Sequence, residues 1–225
     1  MPVPAASTTR IWDPTVRLFH WLLVVLIAFS WWSGEQHDME LHRLSGYAIL
    51  ALLVFRVFWG FAGPRTARFT NFVRGPAAVM AYMKGLGSRR THAAEGHNPL
   101  GGWSVVAMLA VVGLMVVAGL FSVDVDGFES GPLADYVSFD QGRTAAELHE
   151  TVFNAILALV ALHVAAVVFY LVWKRQNLVR PMITGSRKVA DGESPAQLRW
   201  SPALAVIGIV IAVAVAWAVS TGFRF

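Results

Sequence analysis

The stretch ELHETVFNAILALVALHVAAVVFYLVW, residues 147–173, decides how this chain is read. It is apolar enough to cross a membrane as a helix, and it carries His149 near its start and His163 fourteen residues later. On an α-helix that separation is about 21 Å of rise and close to four whole turns, so both imidazoles leave nearly the same face at two depths. Polar side chains inside a bilayer are costly and point into the bundle, where they pair with something or bind something. Uncharged imidazole is also a standard axial ligand of haem iron. The spacing therefore predicts that this helix supplies one ligand to each of two haems stacked across a membrane.

Composition agrees with a membrane setting. Of 225 residues, 56% are hydrophobic and only 14% charged, against about a quarter charged in soluble domains. No cysteine is present, which excludes disulfides, cysteine-ligated iron–sulfur clusters and thioether-attached haem within the chain. A redox cofactor must then be held by histidine or methionine. The formal charge of +4 and the pI near 9.8 come without a nucleic-acid motif, and no nucleic-acid partner is expected. The first apolar run ends in WWSG with no small-x-small cleavage pattern and carries His20, so it is expected to stay as a spanning helix rather than leave as a signal peptide.

Working outward, residues 1–10 read as a polar, loose tail, and Asp13-Pro14 as N-cap and first-turn proline of a helix through RLFHWLLVVLIAFSWW. A second helix, LHRLSGYAILALLVFRVFWGF, begins with His42 and stops at Gly63-Pro64. The long connection 65–100 is basic, and FVRGPAAVMAYMKGLG within it has the character of an interfacial helix or a solvated loop. A third span, roughly 103–121, has no ionisable residue. The loop after it holds Asp124, Asp126, Glu129, Asp135, Asp140 and Glu147 against the single base Arg143. The organising helix follows, then a basic segment 174–200, then a fifth apolar span, roughly 203–220. Three regions are expected: a tail over 1–10, a di-haem membrane unit over 11–185, and a linker with an additional helix over 186–225.

Loops alternate basic, acidic, basic, so the positive-inside rule puts the N-terminus and the 65–100 and 174–200 loops in the cytoplasm, and the C-terminus outside. This topology selects which histidines meet. Helices two and four both enter from outside, so His42 and His149 share an outer site. His20 lies near the inner surface, and His163 lies about 21 Å inward of His149, so these two share an inner site. Arg56, fourteen residues after His42, falls on nearly the same face at the inner depth, where it either meets a haem propionate or snorkels to the headgroups. Gly46, one turn after His42, either makes room for a flat macrocycle or serves ordinary helix packing. Ile156 and Val160 share the histidine face of helix four and fit either a haem edge or plain packing. His37 and His92 read as solvated loop residues. His97 caps the third span or lines an inner site. Zinc is a poor rival, since His149 and His163 stand too far apart to share one ion.

Together RLFHW at 17–21, LHRLSGY at 41–47, FRVFWGFAGPR at 55–65, GHNPLGGW at 96–103 and the His149/His163 pair resemble the prokaryotic cytochrome b561 family, and within it the b-type cytochrome subunits of nickel-iron hydrogenases. The resemblance covers roughly residues 10–185. It implies an all-α integral membrane protein, a four-helix bundle holding two non-covalent b haems on His20, His42, His149 and His163, and electron exchange between a periplasmic partner and quinone. The fifth helix departs from the family pattern and leaves the usual partner and any homo-oligomer open. Two bis-histidine haems have no free iron position, which favours electron relay over chemistry at the metal. The expected setting is the bacterial inner membrane, with lipid, quinone and a periplasmic redox protein such as a c-type cytochrome or hydrogenase-like enzyme as partners. The alternative is a superoxide oxidase-like enzyme passing electrons from superoxide to quinone, which needs a cationic funnel that only Arg43 and Arg143 supply. A third class, a haem-free transporter or assembly subunit, leaves the paired histidines unexplained.

Overall fold

The computed structural model describes residues 8–89, 96–126, 129–188 and 198–224. Arg90, His92 and Glu95 lie outside the described residues. Among the described residues five helices are long and apolar enough to cross a membrane: α1 (Pro14–Glu35), α2 (Met39–Ala62), α5 (Pro99–Phe121), α6 (Phe139–Val172) and α8 (Pro202–Ser220). Short elements join them: β1 (Thr8–Arg10), α3 (Phe69–Phe72), α4 (Pro76–Lys84), α7 (Val179–Thr184) and β2 (Ser186–Lys188). The protein is an all-α, multi-pass membrane protein. Its spans must be helical because a bilayer offers backbone amides no other partners.

Each start is set by local chemistry. Asp13 accepts from the Thr15 and Val16 amides at 3.0 and 3.1 Å, with Pro14 in the first turn of α1. Asn98 accepts from Gly101 at 2.7 Å ahead of Pro99, so the cap of α5 is Asn98 and not its neighbour His97. Ser138 and Gln141 form a reciprocal capping box, and α6 therefore begins eight residues before the apolar stretch that marks it in sequence. His149 consequently sits well inside its helix.

Helix α1 packs along α2, α5 along α6, and the two pairs meet where α2 touches α5. Ile49 and Leu53 of α2, Val112 and Val116 of α5, and Ile156 of α6 make the central core. On its other flank α2 receives α8, where Ala205, Gly208 and Ala212 let the backbones approach over Phe55 and Phe58. Beyond α8, Tyr136 donates to the Gly222 carbonyl at 2.8 Å and Arg224 pairs with Asp135, tying the chain's end to the acidic loop.

The opposite, basic end is capped by small elements. Thr8–Arg10, part of the expected loose tail, pair antiparallel with Ser186–Lys188. Helix α4 has no buried residue, and the segment read as an interfacial helix or a solvated loop is helical. Tyr82 of α4 is hydrogen-bonded to Tyr170 of α6, which also accepts from Asn98 at 3.0 Å, and Lys174 donates to the Ser88 carbonyl.

Candidate cofactor sites between the helices

At the acidic end, His42 of α2 and His149 of α6 face each other with ring centres 5.9 Å apart. All four helices of the bundle build this pair. His42 Nδ1 lies 2.8 Å from the Ser30 carbonyl on α1, and His149 Nδ1 lies 2.8 Å from the Met115 carbonyl on α5. A carbonyl can only accept, so each Nδ1 carries the proton and donates, leaving Nε2 of each ring with its lone pair. Glycines make these approaches possible. A Cβ on Gly34 would stand 3.2 Å from His42 Nδ1, and one on Gly119 would stand 2.9 Å from His149 Nδ1 and Cε1.

Toward the basic end, His20 of α1 and His163 of α6 have ring centres 6.3 Å apart. Among the described residues no hydrogen bond reaches a nitrogen of either ring, and His20 Nδ1 is buried without a partner. Arg56 of α2 lies at this end and is only 3% exposed, so it does not snorkel. Its guanidinium donates to the Ala67 carbonyl at 3.2 Å and sits 4.9 Å over the Phe69 ring. No carboxylate is within ion-pair distance of it among the described residues. Asp13, whose carboxylate acts on Arg56 through space, is fully buried and serves as the α1 cap, with Oδ2 unpartnered among the described residues.

His97 is half-buried between Trp12 and Phe72, with ring centres 4.7 Å from each, and its Nδ1 is buried and unpartnered among the described residues. Burial, reinforced by Arg56 and His163, pushes its pKa down to about 3, so the ring is neutral. It is a lining residue of this end rather than a cap. Gly46 faces open space, as a macrocycle beside His42 would need, and Ile156 is buried in the core while Val160 is 39% exposed. His37 is exposed, in a turn with φ +57°.

These features suit haem. An imidazole nitrogen binds a metal at about 2 Å, so two rings that would share one metal need their centres about 6 Å apart. Both pairs stand at that spacing, 5.9 and 6.3 Å. Two ligands per site fit a metal whose other positions are filled by a macrocycle, and no cluster of three histidines or acids forms among the described residues. The backbone of α6 packs closely along α5 but not along α1 or α2, although its histidines meet theirs. Sequence reasoning missed Ser30, Met115, Gly34 and Gly119. The glycines were its only available signal, because a carbonyl partner has no residue-type signature.

A family model described as prokaryotic cytochrome b561 matches residues 11–185, which include all four paired histidines and α1, α2, α5 and α6. No curated protein and no solved structure matches the chain. The chain belongs to the prokaryotic cytochrome b561 family. It is a multi-pass membrane cytochrome that transfers electrons across the membrane through haem b.

Proposed function

We propose that this cytochrome holds two b haems, one on His42 and His149 and one on His20 and His163, and relays electrons between a periplasmic redox protein and membrane quinone. The observation that carries this reading is the imidazole spacing of 5.9 and 6.3 Å at two depths. Haem supplies one-electron exchange when bound. The chain's part would be to hold one haem on the His42 and His149 imidazoles and one on those of His20 and His163, with the apolar core between the two levels excluding water.

The basic end, with the N-terminus and the 65–100 and 174–200 connections, is read as cytoplasmic in a bacterial inner membrane, and the acidic end with the C-terminus as periplasmic. Arg56, buried without a carboxylate, is assigned to a propionate of the haem on His20 and His163. A periplasmic partner such as a c-type cytochrome or hydrogenase-like enzyme would meet the acidic loops through a basic patch.

The test is a haem-to-protein ratio and reduced-minus-oxidised spectrum on detergent-purified protein, repeated for His149→Ala and His163→Ala. Two low-spin haems in the native protein, with a different one lost in each variant, is the expected result. No haem, or two retained in both variants, overturns the assignment. Rapid reduction by superoxide with no protein partner present would replace the relay with superoxide oxidation.

A further inference from the structure

We propose that the cleft between the N-terminal segment and the end of α7 is a binding site for the phosphate group of an anionic phospholipid, held by Arg10 and Arg17. The site depends on the membrane setting of the five spans and stands apart from the di-haem reading.

A cavity opens at the basic end, lined by Arg10, Trp12, Arg17, Thr184 and Trp200. It lies where β1, the first turn of α1, the end of α7 and the approach to α8 converge. Its volume is about 60 Å³, on a scale where one water takes about 10–15 Å³, so the five heavy atoms of a phosphate group fit. Backbone contacts fix its rim. The amides of Ile11 and Trp12 donate to the Gly185 carbonyl at 2.9 and 3.2 Å, next to the pairing of β1 with β2. Gly185 ends α7 at φ +83° and lets the Arg17 guanidinium close in, since a Cβ there would stand 3.3 Å from its Cζ and Nε.

Charge and hydrogen bonding point to an oxyanion. Arg17 donates through Nη1 to the Ile183 carbonyl, which holds the guanidinium in place, while its Nε is buried with no partner among the described residues. A buried donor without an acceptor is costly, and a phosphate oxygen would satisfy it. The planar guanidinium also matches phosphate oxygens two at a time. Arg10 is exposed and enters no ion pair among the described residues. One acid, Asp13, shares the lining; its Oδ1 caps α1, and Arg56 offsets its charge through space. Two arginines against one carboxylate leave the cleft net positive.

The flanks of the cavity favour a lipid over a free anion. Trp21 follows Arg17 by one turn on the same face of α1, is 41% exposed, and donates to the Met182 carbonyl of α7 at 3.3 Å. Leu18, Leu22, Val25, Phe29 and Trp32 continue an exposed apolar stripe at helical spacing along α1, and Ile183, whose carbonyl meets Arg17, is exposed as well. A phosphate held by Arg17 therefore has an apolar helix face leading from it into the membrane, which acyl chains can follow. A basic pocket beside an interfacial tryptophan is the arrangement that anionic headgroups recognise.

Native mass spectrometry of the detergent-purified full chain tests this, with phosphatidylglycerol, phosphatidylcholine and inorganic phosphate as probes. Phosphatidylglycerol should form one tight adduct at roughly tenfold lower concentration than phosphatidylcholine. Arg10→Gln and Arg17→Gln should each weaken that adduct roughly five- to tenfold. Arg65→Gln, which removes an exposed base at the same end outside the cavity, should leave it unchanged. A native haem spectrum certifies the fold of each variant, and should Arg17→Gln lose it with the α7 contact, Arg10→Gln carries the comparison. Equal affinity for the two lipids overturns the proposal. So does an equal loss in Arg65→Gln and Arg10→Gln, which would reveal a diffuse surface field in place of a site. Inorganic phosphate that displaces the adduct at equal concentration overturns the lipid assignment in favour of a soluble oxyanion. Haem content read on the same samples tells failure of the di-haem reading from failure of this site.

Discussion

Replacing Arg56 with methionine should change stability in opposite directions with and without haem. Arg56 is 3% exposed, and among the described residues it donates one hydrogen bond, to the neutral Ala67 carbonyl at 3.2 Å, with the Phe69 and Phe72 rings 4.9 and 5.9 Å away and Asp13 acting on it only through space. That is thin compensation for a buried cation, whose effective desolvation costs several kcal/mol. Methionine is similar in length, apolar and adaptable. In haem-free protein the substitution forfeits about 1 kcal/mol for the hydrogen bond and about 1 kcal/mol for the ring contact, and relieves the larger desolvation cost. A net gain of about 1–3 kcal/mol is expected. In haem-loaded protein the same change leaves a propionate buried without its cation, at a cost of about 3–5 kcal/mol. At roughly 2–4 °C per kcal/mol for a chain of this size, the haem-free melting temperature should rise by several degrees and the haem-loaded one fall by about 6–20 °C. The assay is thermal unfolding in detergent, read by tryptophan fluorescence on matched haem-loaded and haem-depleted samples. Shifts of the same sign in both forms would refute the propionate assignment, and so would a haem-loaded variant as stable as the native protein.

Two further outcomes follow from other contacts. His97 takes a proton in the unfolded chain near its ordinary value of 6.5 but in the folded chain only near 3, so between those values the unfolded state holds more protons and stability falls as pH falls. From pH 7 to 5 this amounts to roughly 2 kcal/mol, and His97→Gln should show a correspondingly shallower dependence of melting temperature on pH over that range; equal slopes would remove His97 as its source. Gly208→Val would place its Cβ 2.6 Å from the Phe58 ring at the contact of α8 with α2, costing about 1–3 kcal/mol and releasing α8 to faster proteolysis, while the haem-to-protein ratio is unchanged.

Much of this protein is legible in its sequence because a bilayer leaves few choices. Apolar runs of the right length had to be helices, and Asp13-Pro14 announced the first one through a cap that depends only on neighbours. The helical repeat put His149 and His163 on one face, and the alternation of basic and acidic loops set which ends of which helices could meet. The structure brings together those same pairs, His42 with His149 and His20 with His163. The early start of α6 was also within reach, since Ser138 and Gln141 stand in the spacing of a capping box ahead of the apolar run.

What tertiary structure alone decided involves partners far apart in the chain or atoms common to every residue. Whether Arg56 snorkels or is buried depends on Phe69 and Phe72 folding back over it, and sequence reading left both outcomes open. The pairing of Thr8–Arg10 with Ser186–Lys188 joins segments separated by most of the chain. His97 lies between Trp12 and Phe72, a position its neighbours in sequence could not reveal. The carbonyls of Ser30 and Met115 set the protonated nitrogen of the acidic-end imidazoles, yet a backbone carbonyl looks alike at every position in a sequence. Residue type and helical period determine which side chains can share a depth in the membrane; only the packing of helix against helix determines which backbone oxygens and buried charges surround them.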